Sequence, residues 1–376
     1  MLTEASRQRD FPSLSGMTYL NTAAEGIPPL SVRAALEQYF ADKQRGMDGR
    51  DPHFAQLQAT RALTAELYGL STDEIAICSC SSEAYNLAAL ALRLREGDEV
   101  VINDLDFPAG ATPFLQADCP AKVRLWRSKG GALDVRDLVP LLGPSTRFVT
   151  TSLVSFFNGF RISVPEVVEA VRRNSPALLS VDVTQALGRV PLELKGVDLI
   201  VSSTHKWILA SHGGGLVGIP KERAKEWQVP AGGWYHLQDA FGPARFESAV
   251  SQPGAAGFAV GMPNFPAIYA IRAALDSLRD VGVAAIDRAA QPLVVQCLDG
   301  LARLPVELLT PRDLSSVAGI IAFRHPRAEA IHRSLREKNI HVMHHAGRIR
   351  VALHGYNTSV DVERLLTELE GALRNE

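Results

Sequence analysis

The sequence predicts an α/β protein: a mainly parallel β-sheet between helices, followed by a smaller α+β domain. Three observations carry this. Runs such as ALLSVDV (177–183) and VDLIVSST (197–204) are β-rich and nearly continuous in apolar residues, the pattern of strands buried on both faces. Segments with apolar residues at helical spacing, such as VPEVVEAVRRN (164–174), are interspersed with them. After about residue 277 the texture changes to short strands alternating with amphipathic helices.

In chain order, EIAICSC (74–80) reads as a strand leading into a helix, SSEAYNLAALALRL (81–94), which Ser81 or Ser82 could cap. GDEVVIND (97–104) is a strand after a glycine stop, and RFVTTSLVS (147–155) is a strand ahead of the 164–174 helix. The stretch 228–265 is rich in Gly, Pro and aromatics and has little periodicity, which marks a long loop of functional interest. PAIYAIRAALDSLRDVG (266–282) is helical; AGIIAFRHP (318–326) and RIRVALHGYN (348–357) are strands; AEAIHRSLREKN (328–339) and DVERLLTELEGALR (361–374) are helices. The expected division is an N-terminal segment (1–17) packing with the small domain, a large domain (18–277) and the small domain (278–376).

Length and composition narrow the function. A chain of 376 residues suits two domains. With 39 basic against 41 acidic residues, no electrostatic footprint for nucleic acid or anionic membrane exists, so small-molecule chemistry is the expected class. Cysteines 78, 80, 119 and 297 include no C-x-x-C pair, which argues against a zinc knuckle or a dithiol redox site. No signal-like or bilayer-length apolar run is visible, since LAALALRLREGDEV breaks off in charge. A cytoplasmic location is the expectation.

The most informative stretch is SVDVTQALGRVPLELKGVDLIVSSTHKWI (180–208). Asp182 ends one apolar strand and Lys206 follows another closely, so both fall near carboxyl ends of strands, where open α/β sheets bind ligands. Desolvation there lowers a lysine's proton affinity and suits it to Schiff-base chemistry. An acid nearby can hold a pyridine nitrogen protonated. A lysine and an acid so arranged are what pyridoxal 5'-phosphate (PLP) requires. Alone, Lys206 reads as a surface lysine and Asp182 as a strand-end cap; together they reverse that reading.

From YLNTAAEG (19–26) to RVALHGYNT (350–358) the chain resembles the class V aminotransferases, a fold-type I PLP family that includes cysteine desulfurases and isopenicillin-N-epimerase-like proteins. VDVTQALG followed by SSTHKW is the most specific part. The resemblance implies a seven-stranded-type sheet in the large domain and a homodimer with its active sites at the subunit interface. It implies that Lys206 bonds the cofactor, Asp182 contacts the ring nitrogen and Gln185 approaches the ring hydroxyl. Ser203 and His205 match phosphate-binding positions, and CSSEAYN (80–86) resembles the phosphate loop, with Ser81 and Ser82 as its contacts; helix N-terminal amides suit a phosphate. Phe107 in NDLDFPAG (103–110) stands where an aromatic covers the ring, a contact worth roughly 0.5–2 kcal/mol. Arg350 matches the arginine that grips the substrate α-carboxylate, as a guanidinium fork does; Arg348, on the same strand face, could compete. Asn21, Glu25, Trp234 and His345 are further candidates for the substrate end, each with a structural reading as well.

Three departures stand out. Phe156 occupies the position of an asparagine near the ring hydroxyl, with Asn158 as a possible substitute. Met262 replaces a threonine that reaches the neighbouring subunit's phosphate. The loop before Arg350 has no cysteine, and Cys297 is the nearest upstream, which argues against a persulfide-forming desulfurase. GGGLVG (213–218), with Asp239 beyond it, matches a dinucleotide fingerprint literally, but a strand-like LVGIP follows where a helix should open. The His344–His345 and Cys78–Cys80 pairs are not expected to bind metal, adjacent strand histidines pointing to opposite faces. The expected function is PLP chemistry on a small amino acid, transamination first, a C–S or other β-elimination lyase second, an epimerase third. The reading from another class is a catalytically inactive binding or scaffold relative.

Overall fold

The computed structural model describes residues 1–374. A short helix α1 (Glu4–Asp10), closed by a Thr3–Ser6 capping box, precedes strand β1 (Thr18–Tyr19) and helices α2 (Leu30–Gln44) and α3 (Arg50–Tyr68). Then come β2 (Ile75–Cys78), α4 (Ser81–Leu92), β3 (Glu99–Asn103), β4 (Lys122–Trp126), α5 (Val135–Leu138) and β5 (Thr146–Ser152). They are followed by α6 (Val164–Asn174), β6 (Leu178–Asp182), β7 (Leu199–Ser203) and β8 (Gly215–Gly218). Two long helices, α7 (Phe265–Val281) and α8 (Val283–Leu301), lead to β9 (Glu307–Leu308), β10 (Ile320–Arg324), α9 (Ala328–Glu337), β11 (Ile340–His341), β12 (Met343–His345), β13 (Arg348–Ala352) and α10 (Ser359–Arg374).

The central sheet has seven strands in the order β2-β8-β7-β6-β5-β3-β4. Only β8 runs against its neighbours; the β7-β6-β5-β3-β4 pairings are all parallel. The apolar runs are explained by two cores on opposite faces. Leu179, Val181, Ile200 and Val149 enter one core, while their neighbours Leu178, Leu199, Val201 and Phe148 enter the other, as the two-residue strand period requires.

A third core, built on Val294, Phe323, Ile349, Val351 and Leu365, lies against a four-stranded antiparallel sheet, β12-β13-β10-β9. The chain start joins this part: β1 pairs with β11, Phe11 packs 5.5 Å from Tyr356, and Arg7 lies 3.8 Å from Asp361. Arg189, fully buried, donates to the Leu353 carbonyl (2.9 Å) and to Asp287 (2.7 Å). His354 lies 3.1 Å from the Trp207 carbonyl and stacks on its indole. These contacts hold β13 beside the segment carrying Lys206.

The structure corrects several local expectations. Strand β2 stops at Cys78, so the C-x-C pair does not lie within one strand. Cys80, not Ser81 or Ser82, is the N-cap of α4: its sulfur accepts the Glu83 N–H at 3.5 Å. Glu83 reaches back to the amide and hydroxyl of Ser79, both at 2.6 Å, and this reciprocal closure turns the chain out of the strand early. Ser81 and Ser82 become the first two helical residues. GGGLVG contributes β8 and opens no helix. Gly215 is required by close approach, since a Cβ there would stand 2.5 Å from the Cys80 carbonyl carbon. The 228–265 stretch is largely irregular. Among the described residues no single helix is long and apolar enough to cross a membrane.

Candidate active site

The strand ends bring the site together. Asp182 closes β6, Ser203 closes β7, Ser81 opens α4 just after β2, and the segments after β3 and β5 carry Phe107 and Phe156. Lys206 leaves β7 after three residues and enters a tight turn in which the Leu209 N–H bonds the Lys206 carbonyl at 3.0 Å. Leu209 takes a left-handed φ of 63°, an uncommon conformation for a branched residue and a mark of local constraint. Gly26 closes over the turn, its N–H bonding the His205 carbonyl at 2.8 Å. A Cβ at Gly26 would lie 2.0 Å from the Lys206 carbonyl oxygen.

Burial sets the chemistry of Lys206. It brings the amine down to about 8; Arg350 lowers it too, and Asp182 and Glu25 oppose. The Nζ lies 5.0 Å from the centre of the Phe107 ring. Asp182 is buried, which raises its carboxyl pKa, while the Thr184 N–H donates to Oδ1 at 2.7 Å and Lys206 pulls the other way. A buried carboxylate held by Thr184 alone, through its side chain and its N–H, is suited to a cationic partner.

The remaining expected residues are placed as follows. Ser81 and Ser203 are buried and their hydroxyls lie 2.9 Å apart, joining the start of α4 to the end of β7. Ser82 is exposed one residue further along α4. Gln185 donates to the Ala23 carbonyl (3.1 Å) and accepts from the Trp207 indole (2.6 Å), leaving one amide N–H. His205 stacks on His212 at 4.3 Å, and burial, with Lys206 and His212 adding, lowers its pKa to about 4, so the imidazole is neutral. Arg350 is buried and donates to the Phe156 carbonyl at 2.9 Å; burial and then Arg348 lower its pKa to about 10. Asn21 has a buried Oδ1 without a partner.

One expectation fails in this geometry. Asn158 cannot stand in for the missing asparagine. Its amide is consumed by the Gly131 (2.7 Å) and Leu309 (3.0 Å) carbonyls, and its oxygen accepts the Phe160 N–H. Phe156 instead meets Phe107 edge-on at 5.2 Å. Trp234 packs with Tyr235 and Phe241 in the irregular stretch, and the His345 side chain is exposed. Glu25 pairs with His212 at 3.2 Å, and with His205 the three bring ligand-type atoms within 4.8 Å of one another. The two imidazoles stack with only 16° between their planes. Their in-plane lone pairs therefore run side by side, poorly suited to one tetrahedral ion.

One site residue escapes sequence reasoning. Asp106, beside Phe107, is partly buried and accepts the Ser152 N–H at 2.7 Å. Burial, with the charge of Asp182 adding, pushes its carboxyl up to about 7 against the bonds from Ser152. An acid directly before the aromatic in NDLDFPAG is the available signal. Because the folded state favours the protonated form, this group's contribution to stability is fully present below the unfolded value of 3.8 and is lost as pH rises to about 7. Asp106→Asn keeps an acceptor for Ser152 without that loss. Thermal unfolding of the cofactor-free protein should show the variant more stable than the wild type at pH 8, by on the order of 2 kcal/mol, with a smaller gap at pH 5. An equal gap at both pH values would contradict the assignment.

The donor set fits PLP. A buried amine of lowered basicity, a buried carboxylate open to a cation, an aromatic face, and hydroxyls at a helix N-terminus match a Schiff-base carbonyl, a ring nitrogen, a ring face and a phosphate dianion.

Comparison with known proteins agrees. The family model of class-V aminotransferases matches residues 18–365. An uncharacterized aminotransferase, YcbU, of Bacillus subtilis is 26% identical over 98% of this chain and 97% of its own. A probable cysteine desulfurase of Pseudomonas putida is 28% identical over 97% of both. Among solved structures, the apo cysteine desulfurase of Thermococcus onnurineus superposes with a TM-score of 0.90 at 22% identity, covering 100% of this chain and 99% of that one. The cystine C–S lyase C-DES superposes with a TM-score of 0.87 at 23% identity, covering 96% and 99%. These two likenesses establish the fold, and the family match establishes the kinship: the chain belongs to the class V aminotransferase family of PLP-dependent enzymes.

Proposed function

We propose that this enzyme transaminates a small amino acid, with Lys206 as the residue that bonds the cofactor and afterwards moves the substrate Cα proton. The observation that carries the reading is the amine of Lys206, brought to about 8 by burial beside Asp182 and facing the Phe107 ring. A base of that strength exchanges protons readily near neutral pH. When bound, PLP supplies an electron sink for the negative charge that develops at Cα. Asp182 keeps a proton on the ring nitrogen, and Phe107 covers the ring. Ser81, Ser82, Ser203 and the neutral His205, with the amides at the start of α4, hold the phosphate. Gln185 offers its remaining N–H to the ring hydroxyl. Arg350 orients the substrate by its α-carboxylate, so that the Cα proton is presented to Lys206.

The second reading is β-elimination at a carbon–sulfur or similar bond, which uses the same proton removal and has support in the relatives named desulfurases. The loop before Arg350 supplies no cysteine for a persulfide route. Cys297 is buried in α8 with its thiol pushed up to about 12, Cys78 is buried in β2, and the exposed Cys80 is engaged as the N-cap of α4. Incubating the holoenzyme with single amino acids, with and without keto acids, separates the readings. A new amino acid that requires a keto-acid acceptor is expected. Ammonia and pyruvate formed without an acceptor would replace transamination by β-elimination, and Cα proton exchange alone would indicate an epimerase.

We infer a homodimer with its active sites at the subunit interface. Support comes from the exposed large apolar side chains Phe241 (77%), Phe246 (91%) and Met262 (46%). A monomeric mass for the fully active enzyme would count against it. We take residues 18–277 as the cofactor domain and 278 onward as the small domain; the third core supports the division from Leu293 on, whereas helix α7 runs through residue 277 and Leu20 packs in the third core. Separate unfolding of the two parts in limited proteolysis is the corresponding test.

A further inference from the structure

Two buried arginines stand side by side on β13 without an acid beside them. Arg348 and Arg350 are each 2% exposed. Two residues apart on one strand face, their backbones are separated by about 7 Å. Among the described residues, no carboxylate lies within ion-pair distance of either, and their protein partners are neutral. Arg350 donates to the Phe156 carbonyl; Arg348 donates to the carbonyls of Phe157 (3.1 Å) and His345 (3.4 Å). The Arg348 guanidinium lies 4.1 Å over the Phe157 ring. Arg348 Nη2 and Arg350 Nε are buried with no hydrogen-bond partner.

Burying a cation without an anion is unfavourable, and here two are buried together. One guanidinium suffices for an α-carboxylate, which leaves the other uncompensated. Arg348 is linked to the reacting end through a run of rings: Lys206 faces Phe107, Phe107 meets Phe156 at 5.2 Å, and Phe156 lies 5.5 Å from the Arg348 guanidinium.

We propose that Arg348 and Arg350 together receive a dicarboxylic amino acid of four or five carbons, Arg350 taking the α-carboxylate and Arg348 the side-chain carboxylate. The proposal rests on the functional reading of the Lys206 site. Two planar forks on one strand face can each take one carboxylate of such a substrate, and the incoming charges supply the anions that the buried pair lacks. The side-chain carboxylate binds through Arg348, so substrate choice lies in Arg348 and attachment in Arg350.

Calorimetric titration of the holoenzyme with succinate and with butyrate tests this, because neither has an amine and neither can bond the cofactor. Succinate should bind at least tenfold more tightly than butyrate. Arg348→Gln should bring the two within twofold of each other while leaving butyrate affinity unchanged. Arg348→Lys, which keeps the charge and loses the fork, should reduce the ratio at least threefold, and it carries the test if the glutamine variant does not fold. Equal wild-type affinities, no binding of either acid, or a ratio that survives substitution would overturn the proposal. The functional reading fails separately, if the holoenzyme forms no amino acid that requires a keto-acid acceptor, an outcome that leaves the succinate-to-butyrate ratio unaffected.

Discussion

Lys206→Ala is expected to abolish the near-visible absorbance band of the holoenzyme and the fraction of cofactor that borohydride traps on the protein. It should lower turnover by at least about 10³-fold. The magnitude follows from losing two roles at one atom, covalent attachment and proton movement. Burial has already brought the amine to about 8, so no neighbour needs to activate it. No other described lysine shares this setting among Asp182, Arg350 and Phe107. The fold should survive, because the turn is held by backbone bonds from Gly26 and Leu209 rather than by the amine. An added small amine should restore part of the activity if proton movement is the missing function. A variant that kept the trapped cofactor would remove Lys206 from the mechanism.

Asp182→Asn is expected to reduce kcat/KM by about 10²–10⁴-fold, the usual range for losing one charge at the reacting centre. Asparagine can still accept the Thr184 N–H, so geometry is retained and the charge is removed. In the protein without a cationic partner, burial raises the Asp182 pKa. A protonated ring nitrogen beside it reverses that preference, and the variant should therefore bind PLP more weakly as well as react more slowly. The measurement is kcat/KM with cofactor affinity determined in parallel. Activity within threefold of the wild type would show that the ring proton is held by another group.

Part of the site is legible in the sequence because its chemistry clusters at strand ends. Asp182 and Lys206 each follow an apolar run within three residues, and a strand buried on both faces announces itself by that run. The capping of α4 is not legible in the same way. Serine is the commoner cap, and only the three-dimensional turn shows Glu83 closing back on Ser79 and the Cys80 sulfur taking the cap position. Asn158 looks available because its spacing from Phe156 is short. Its two carbonyl partners come from Gly131 and Leu309, and nothing in the local sequence reveals them.

By itself, then, the sequence determined the alternation of elements, the family, the cofactor class and the position of Asp182 and Lys206 near strand ends, where the proposed chemistry lies. These depend on short-range periodicity and on residue types within a few positions of one another. Only the tertiary structure decided which distant groups meet: Ser81 with Ser203, the Phe156 carbonyl with Arg350, Asp106 with the Ser152 amide. It also decided that Arg348 and Arg350 are buried together with no acid beside them. The physical reason is that desolvation and charge compensation are set by neighbours far away in the chain, and the sequence within a segment carries no record of which neighbours those are.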